Sequence, residues 1–353
     1  MLLRYKLDAV PRNWGLAAGF FTILVTFHFI FLAISPYGVD ELQLSGAEAN
    51  LSTTKTDYSI YNPLKNVLGS KEPAKAYAPP STNYSAMYPP PSDEEYVAIC
   101  LAVRGQHADL PEFMTHHYHH LGIRRFYIMD DGSEPPLSTY DDYGIPRKHI
   151  TFHYYNRTTD HVPDMQDHIY NSCMNLWRNE HTWMAFLDAD EMLEMTGEED
   201  LTTLLKRLEK NRMIGALAVQ WQTHTSNGLL KRPISARKGF TDCIWDGTPT
   251  HNQMYKSIVK TEFHNGHNHV HQAFLTDNTL TVGEDGLNVP LAARNPITRN
   301  RIALHHYALK SREEYEEKIA RSNAMDQPKD WSFWESVEGM GGVPCFEMST
   351  YDP

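Results

Sequence analysis

The feature that most limits what this chain can fold into is an alternation, from residue 96 onward, between short apolar runs and segments with helical spacing. YVAICLAV (Tyr96 to Val103), RFYIMD (Arg125 to Asp130), ITFHYY (Ile150 to Tyr155) and WMAFLD (Trp183 to Asp188) read as strands. Asp109 to Leu121 and Asp164 to Asn179 carry apolar residues at helical spacing. This order predicts an α/β fold with a mainly parallel sheet and helices on both faces. No internal repeat is present.

Ligands of such sheets bind at the carboxyl ends of the strands, near the point where strand order reverses. Two strands end in acids there: RFYIMDDGS, with Asp130 and Asp131, and WMAFLDADE, with Asp188, Asp190 and Glu191. DDGS also has the composition of a plain turn. DADE is harder to treat as one, because crowded carboxylates repel unless a cation or a positive partner offsets them. Strand alternation points Asp188 and Asp190 to the same side. A divalent hard cation is the simplest offset, since magnesium, manganese and calcium favour oxygen ligands and bridge phosphates.

With 353 residues and 41% hydrophobic content, the chain can bury a full core in one large domain or two small ones. Its formal charge of -12 argues against nucleic acid as a partner, which needs a basic face. Trp14 to Ile34 is free of Lys, Arg, Asp and Glu, enough for one membrane-spanning helix. Arg4, Lys6 and Arg12 precede it, so residues 1–13 are expected as a cytosolic tail and 14–34 as a type II anchor. A cleaved signal peptide is the alternative, with a shorter apolar region. Residues 35–92, rich in Pro, Ser, Thr, Asn and Tyr, read as an extended luminal stem. Residues 93–353 would then form the catalytic domain.

Asn50, Asn83 and Asn156 lie in glycosylation sequons, compatible with a lumen. The cysteines are far apart: Cys100 reads as a buried thiol, whereas Cys243 and Cys345 are candidates for a bridge.

VAICLAVRGQHADLPEFMTHHYHHLGIRRFYIMDDGS, WMAFLDADEML, MYKSIVK and ALHHYALKSREEYEEK together resemble glycosyltransferase family 92 and its fungal relatives. The resemblance covers about Tyr96 to Arg321, with the blocks in order. Its most specific parts are DxDE after an aromatic strand and a His-Tyr followed by a Lys-Ser helix start. The family usually has Lys-Asn-Glu where this chain has Arg104, Gly105 and Gln106.

The resemblance implies a GT-A-like, Rossmann-like nucleotide-sugar-binding sheet in a single-pass Golgi membrane enzyme. It would move a sugar from a nucleotide diphosphate sugar, expected to be a UDP-sugar, to a glycan acceptor with inversion. In that reading Asp190, with Asp188 beside it, holds manganese (or magnesium), and His306 is a further ligand. Arg104, Asp130, Asp131 and Asp188 contact the donor. Lys256 and Lys310 are candidate phosphate partners, and Glu191 orients the metal site, binds acceptor or is only a helix N-terminal charge. Asp242 and Asp246 are candidate bases for the acceptor hydroxyl.

Histidine is abundant, at 19 copies. HHYHH (His116 to His120) reads as a surface or packing feature of the first helix. In HNGHNHVH, His267, His269 and His271 would share one face of an extended strand, a spacing that suits zinc. A zinc hydrolase built on those histidines, including His269, is therefore a second reading. A non-catalytic carbohydrate-binding protein is a third, although it would not need Asp188 and Asp190 together.

Overall fold

The computed structural model describes residues 95–351 apart from 249 and 277, so the expected tail, anchor and stem lie outside the described residues. No helix among the described residues is long and apolar enough to cross a membrane.

Four strands, β1 (Val97–Val103), β2 (Arg125–Asp130), β3 (Ile150–Tyr154) and β4 (Trp183–Leu187), pair in parallel in the order β3-β2-β1-β4. Between them run α1 (Leu110–His119) and α2 (Met165–Trp177). Beyond β4 the expectation of a mainly parallel sheet gives way to a mixed one. β8 (Tyr255–Lys260) is antiparallel both to β4 and to β6 (Ile214–Thr223). β12 (Ala303–His306) is parallel to β6, and β5 (Glu191–Glu194) closes the edge antiparallel to β12. β11 (Leu280–Val282) pairs with β6 off this path.

β6 spans 10 residues and serves two parts of the sheet. Ala216 to Gln220 pair with β8, while Trp221 to Thr223 project past the start of β8 and pair with β12. β12 and β5 therefore sit over the carboxyl end of the sheet. The chain passes from β4 to β5 through only Asp188, Ala189 and Asp190. Four Cα steps reach at most about 14 Å, whereas four flat strand spacings from β4 to β5 would need roughly 19 Å. The sheet must curl, and the acid turn marks where it does.

Because side chains alternate across a strand, each central strand feeds two cores. Ile99, Leu101, Phe126, Ile128, Ala185 and Leu187 join α1 and α3 (Leu201–Leu208) on one face. Ala98, Cys100, Tyr127, Met129, Met184 and Phe186 join α2 on the other. Helices on both faces are thus observed. Cys100 is not the free thiol expected of it: both Cys100 and Cys173 of α2 point into the second core, and they form a disulfide. Cys243 and Cys345 form the other, tying β7 (Asp242–Cys243) to the segment after β13 (Val343–Pro344).

β5 is a sheet edge, and a buried edge must find partners for its outward backbone groups. The tandem His116 and His117 of α1 supply them, each fully buried. His116 donates from Nε2 to the Leu193 carbonyl at 2.7 Å, and Arg237 donates to its Nδ1 at 3.3 Å. His117 donates from Nδ1 to the Phe113 carbonyl at 2.8 Å, and its Nε2 accepts the Leu193 N–H at 3.1 Å. All four bonds are satisfied only by neutral rings. The packing role anticipated for HHYHH is observed, but in the core rather than on the surface.

Burial pushes His116 down to about 2 and His117 down to about 3. The unfolded chain protonates both near 6.5. Their folded values lie below the unfolded ones, so their contribution is complete above pH 6.5 and lost as pH falls from there towards 3. Each ring then costs up to about 1.4 kcal/mol per pH unit. Denaturant midpoints should hold above pH 7 and decline steadily between pH 6.5 and 5, with a shallower decline in His117→Gln. A wild-type midpoint unchanged across that range would contradict this accounting.

Candidate active site at the carboxyl end of the sheet

The DADE segment is a turn followed by a strand, not the end of one long strand. β4 stops at Leu187, so alternation no longer sets the directions of Asp188 and Asp190. The two carboxylates instead engage different lysines. Asp188 takes Lys256 Nζ at 2.9 Å on one oxygen, and Gln166 at 2.5 Å and the Tyr170 hydroxyl at 3.1 Å on the other. Asp190 takes Lys318 Nζ at 2.9 Å. Its carbonyl accepts the Tyr307 N–H at 2.8 Å, which pins the turn to the end of β12.

Glu191 opens β5, so the helix-terminus reading of its charge is overturned. It is fully buried and organises the turn from beneath. One oxygen accepts the Asp188 N–H at 2.9 Å, the other the Trp221 indole N–H at 2.8 Å, and Lys256 Nζ stands 3.8 Å away. Burial, with Asp188 and Asp190 nearby, pushes the Glu191 carboxyl up against the pull of Lys256. Burial alone would strip the proton from Lys256, but Asp188 and Glu191 hold it on and raise its value well above that of a free lysine. The crowded carboxylates are thus offset by protein cations.

On the Asp190 side, burial opposes the charged form, and Lys318 and Lys310 outweigh it to hold the carboxyl below the usual range. His306, on β12, faces it with Nε2 at 4.0 Å from Asp190 Oδ1. Burial pushes this imidazole down to about 3, so the ring is neutral at neutral pH. Trp221 packs against it at 4.1 Å between centroids. The buried Nδ1 of His306 has no hydrogen-bond partner.

The separation of Asp190 Oδ1 and His306 Nε2 fits a shared divalent ion. Two bonds of about 2.1 Å to a shared ion place donors about 3 Å apart at a right angle and about 4.2 Å apart when opposed, and the observed 4.0 Å lies within that span. Asp188 does not converge with them as a third donor. Among the described residues, three potential ligands cluster only at His224, Cys243 and Cys345, where the cysteines are bridged. In particular, β9 (His264–His269) ends before His271, which breaks the alternation expected of HNHVH. His269 and His271 lie 6.1 Å apart by ring centroid, and His271 donates to the Tyr255 carbonyl at 3.2 Å.

A cleft of about 890 Å³ opens beyond β1, β2 and β3, with Arg104, Arg157, Arg232 and Arg321 among its walls. A smaller hollow of about 20 Å³ adjoins it, sharing Asp109, Arg232 and Arg321, and reaches Asp190, Lys310 and Lys318. Cationic side chains therefore run from the cleft to the acid turn. Lys318 and Arg321 lie on α5 (Arg312–Arg321), whose first turn is fixed by a capping box between Ser311 and Glu314. This is the Lys-Ser helix start noted in the sequence. Lys310, just before it, has a left-handed backbone (φ 57°) and pairs with Asp109 at 2.8 Å.

The remaining expected residues are placed as follows. Arg104 lines the cleft and donates to the Arg321 carbonyl at 3.0 Å. Asp130 is committed to its own loop, accepting from the Ser133 and Leu137 N–H groups at 2.8 Å each. Asp131 pairs with Arg157 and leaves one buried oxygen without a partner. Asp242 is taken up by the Thr225 hydroxyl at 2.8 Å and by Gly342 N–H at the β7–β13 junction. Asp246 accepts from Asn252 at 2.8 Å and pairs with Arg299 at 2.5 Å, with its side chain 45% exposed. Asn156, the one sequon among the described residues, also lines the cleft. Sequence reasoning missed Lys318, whose KIAR setting on a highly charged helix reads as solvent-facing.

The sequence model for glycosyltransferase family 92 matches residues 95–335, and the chain belongs to that family. A glycosyltransferase family 92 protein of rice (Oryza sativa subsp. japonica) is 24% identical over 268 residues, 73% of this chain and 40% of that protein. The chain therefore spans about two fifths of the length of that curated relative. Among solved structures, the TarS fragment 1–349 of S. aureus is 14% identical, with 47% of each chain covered and a TM-score of 0.28. A putative glucose-1-phosphate thymidylyltransferase from Bacillus anthracis in complex with a sucrose is 10% identical, covering 47% of this chain and 71% of that one, with a TM-score of 0.27. Overlaps this low lend no support to a shared mechanism.

The charge pairing predicts how the turn fails. Lys256→Met leaves Asp188 and Glu191 without their cation and should cost about 3 to 5 kcal/mol in denaturant unfolding. Adding Asp188→Asn and Glu191→Gln to that variant should restore most of the loss. Equal stability of the single and triple variants would contradict the pairing.

Proposed function

We propose that the chain is a metal-dependent glycosyltransferase that takes a sugar from a nucleotide diphosphate sugar and passes it to a glycan hydroxyl. The observation that carries this reading is the continuity between the Arg-lined cleft and the Asp190–His306 pair, through Arg321, Lys310 and Lys318. The cleft of about 890 Å³ has room for a nucleotide, and Arg321, Lys310 and Lys318, between it and Asp190, are cations that a diphosphate could engage.

Asp190 and His306 would hold the ion, manganese or magnesium, with donor phosphate oxygens completing its shell. When bound, the ion supplies positive charge where the leaving diphosphate gathers negative charge. Lys318, held between Asp190 and the Ala308 carbonyl at 2.9 Å each, and Lys310 add fixed ammonium groups on the same side. Neutral His306 keeps a lone pair available at neutral pH. Asp188, Lys256 and Glu191 act from behind, keeping the turn in the conformation that presents Asp190.

Of the two carboxylates expected to serve the acceptor, Asp242 is consumed by the β7–β13 junction. Asp246 retains an exposed face, and we assign it the acceptor hydroxyl. A UDP-sugar donor, inversion and a Golgi setting with a type II anchor complete the reading, on the strength of the resemblance and the N-terminal sequence. The zinc-hydrolase alternative has no support from the placement of His269 and His271.

Calorimetric titration of the purified chain with UDP, with and without manganese, tests the proposal. Binding should require the metal and weaken at least about a hundredfold in Asp190→Ala, a loss of about 2.7 kcal/mol. Metal-independent binding that survives this substitution would overturn the assignment.

A further inference from the structure

We infer that Lys318 keeps a free divalent ion off Asp190, so that the ion is taken up only together with a nucleotide diphosphate. The inference rests on the metal-dependent transferase reading and specifies how that site is loaded.

Hard divalent cations gather several oxygen ligands, anionic ones among them. At Asp190 the negative charge is already matched. Its Oδ2 takes Lys318 Nζ at 2.9 Å, and the pair is shielded from water, with 25% of the lysine side chain and 11% of the aspartate exposed. A second bond from Lys318 Nζ, to the Ala308 carbonyl at 2.9 Å, fixes the ammonium in that position. An ion on the other oxygen of Asp190 would therefore share one carboxylate with a fixed positive charge. Two cations this close and this little exposed repel with only slight screening.

The surroundings do not relieve that repulsion. Asp188 is turned to Lys256 at 2.9 Å, and His306, the other donor facing the ion, brings a lone pair and no negative charge. The hollow that Asp190 and Lys318 line carries four carboxylates and four cationic side chains, which cancel. A free divalent ion entering it meets no net attraction.

A diphosphate changes the balance, because it brings negative charge to Lys318, Lys310 and Arg321 and oxygen ligands to the ion in one step. The ion and the diphosphate then favour each other's binding, and the coupling runs through Lys318. Linkage makes that coupling reciprocal: the factor by which UDP tightens the ion is the factor by which the ion tightens UDP. The species the site selects is the metal–diphosphate complex, not the free ion.

The test counts free manganese by electron paramagnetic resonance in titrations of the wild-type chain, Lys318→Met and Lys318→Gln, each with and without UDP. Manganese held by UDP in protein-free titrations, and by other acids in Asp190→Ala, is subtracted. Wild type should bind manganese at least about a hundredfold more tightly with UDP than without it. Both neutral variants should bind manganese alone about tenfold or more tightly than wild type does, and UDP should then tighten it by a smaller factor. A gain of binding is not what a merely structural lysine would show on removal, and thermal unfolding verifies that the variants are folded. Wild-type binding that is equally tight with and without UDP overturns the inference with no substitution needed. So does an affinity of folded Lys318→Met and Lys318→Gln for manganese alone that stays within about twofold of wild type. Either result leaves the transferase reading standing as long as wild type holds manganese and UDP together through Asp190. If wild type binds no manganese above the Asp190→Ala background even with UDP, the metal-dependent reading fails and this inference falls with it.

Discussion

The Lys256 ammonium, buried between Asp188 and Glu191, is the interaction on which the rest of the site depends. Without it, Asp188 and Glu191 would lie at a buried turn with no cation to offset them. With it, Glu191 can spend its oxygens on the Asp188 amide and the Trp221 indole, and the chain can leave the sheet centre for its edge in three residues. Asp190 is then left at the top of the turn, where Lys318 and His306 meet it. Structural and functional charges are divided by position: Lys256 serves the fold from below, Lys318 serves the site from above.

A second constraint follows from the curl. Because β6 runs past the sheet, β12 and β5 hang over the carboxyl end and need their own supports. The His116 and His117 rings cap the outer edge of β5, and a buried chain from Glu194 through His305 to His224 supports β12. His224 donates to the Phe240 carbonyl, so with neutral rings His305 must donate to His224 and the proton on the remaining bond comes from Glu194. Burial accordingly pushes the Glu194 carboxyl up to about 7. Four of the 19 histidines, His116, His117, His224 and His305, are thus scaffolding for the strands that carry and flank His306.

The parallel half of the fold was legible in the sequence because β1, β2 and β4 are buried on both faces and read as largely apolar runs. β2 was read at its observed bounds, and β1 and β3 were each one residue shorter than the run that announced them. Most of the other half was not legible, β12 (Ala303–His306) within RIALHHY being the exception. β5, only four residues long, is hidden inside the motif, and β8 carries a fully buried lysine that resembles a polar break. Pairings across long separations, such as Cys100 with Cys173, leave no local trace. At the site, the acid turn and His306 could be singled out from residue type and resemblance. Asp130 and Asp242 looked equally suited, and only their hydrogen bonds show them committed to loops. Lys318 was hidden among the charges of α5.

The central claim is that Asp190 and His306 together hold a divalent ion over the acid turn. Pulsed electron paramagnetic resonance of the wild-type chain with manganese and UDP measures it most directly. The account predicts nitrogen couplings from one directly bound imidazole, lost in His306→Ala and unchanged in His269→Ala. Manganese that binds with UDP but shows no imidazole coupling, or a coupling that survives loss of His306, would contradict it.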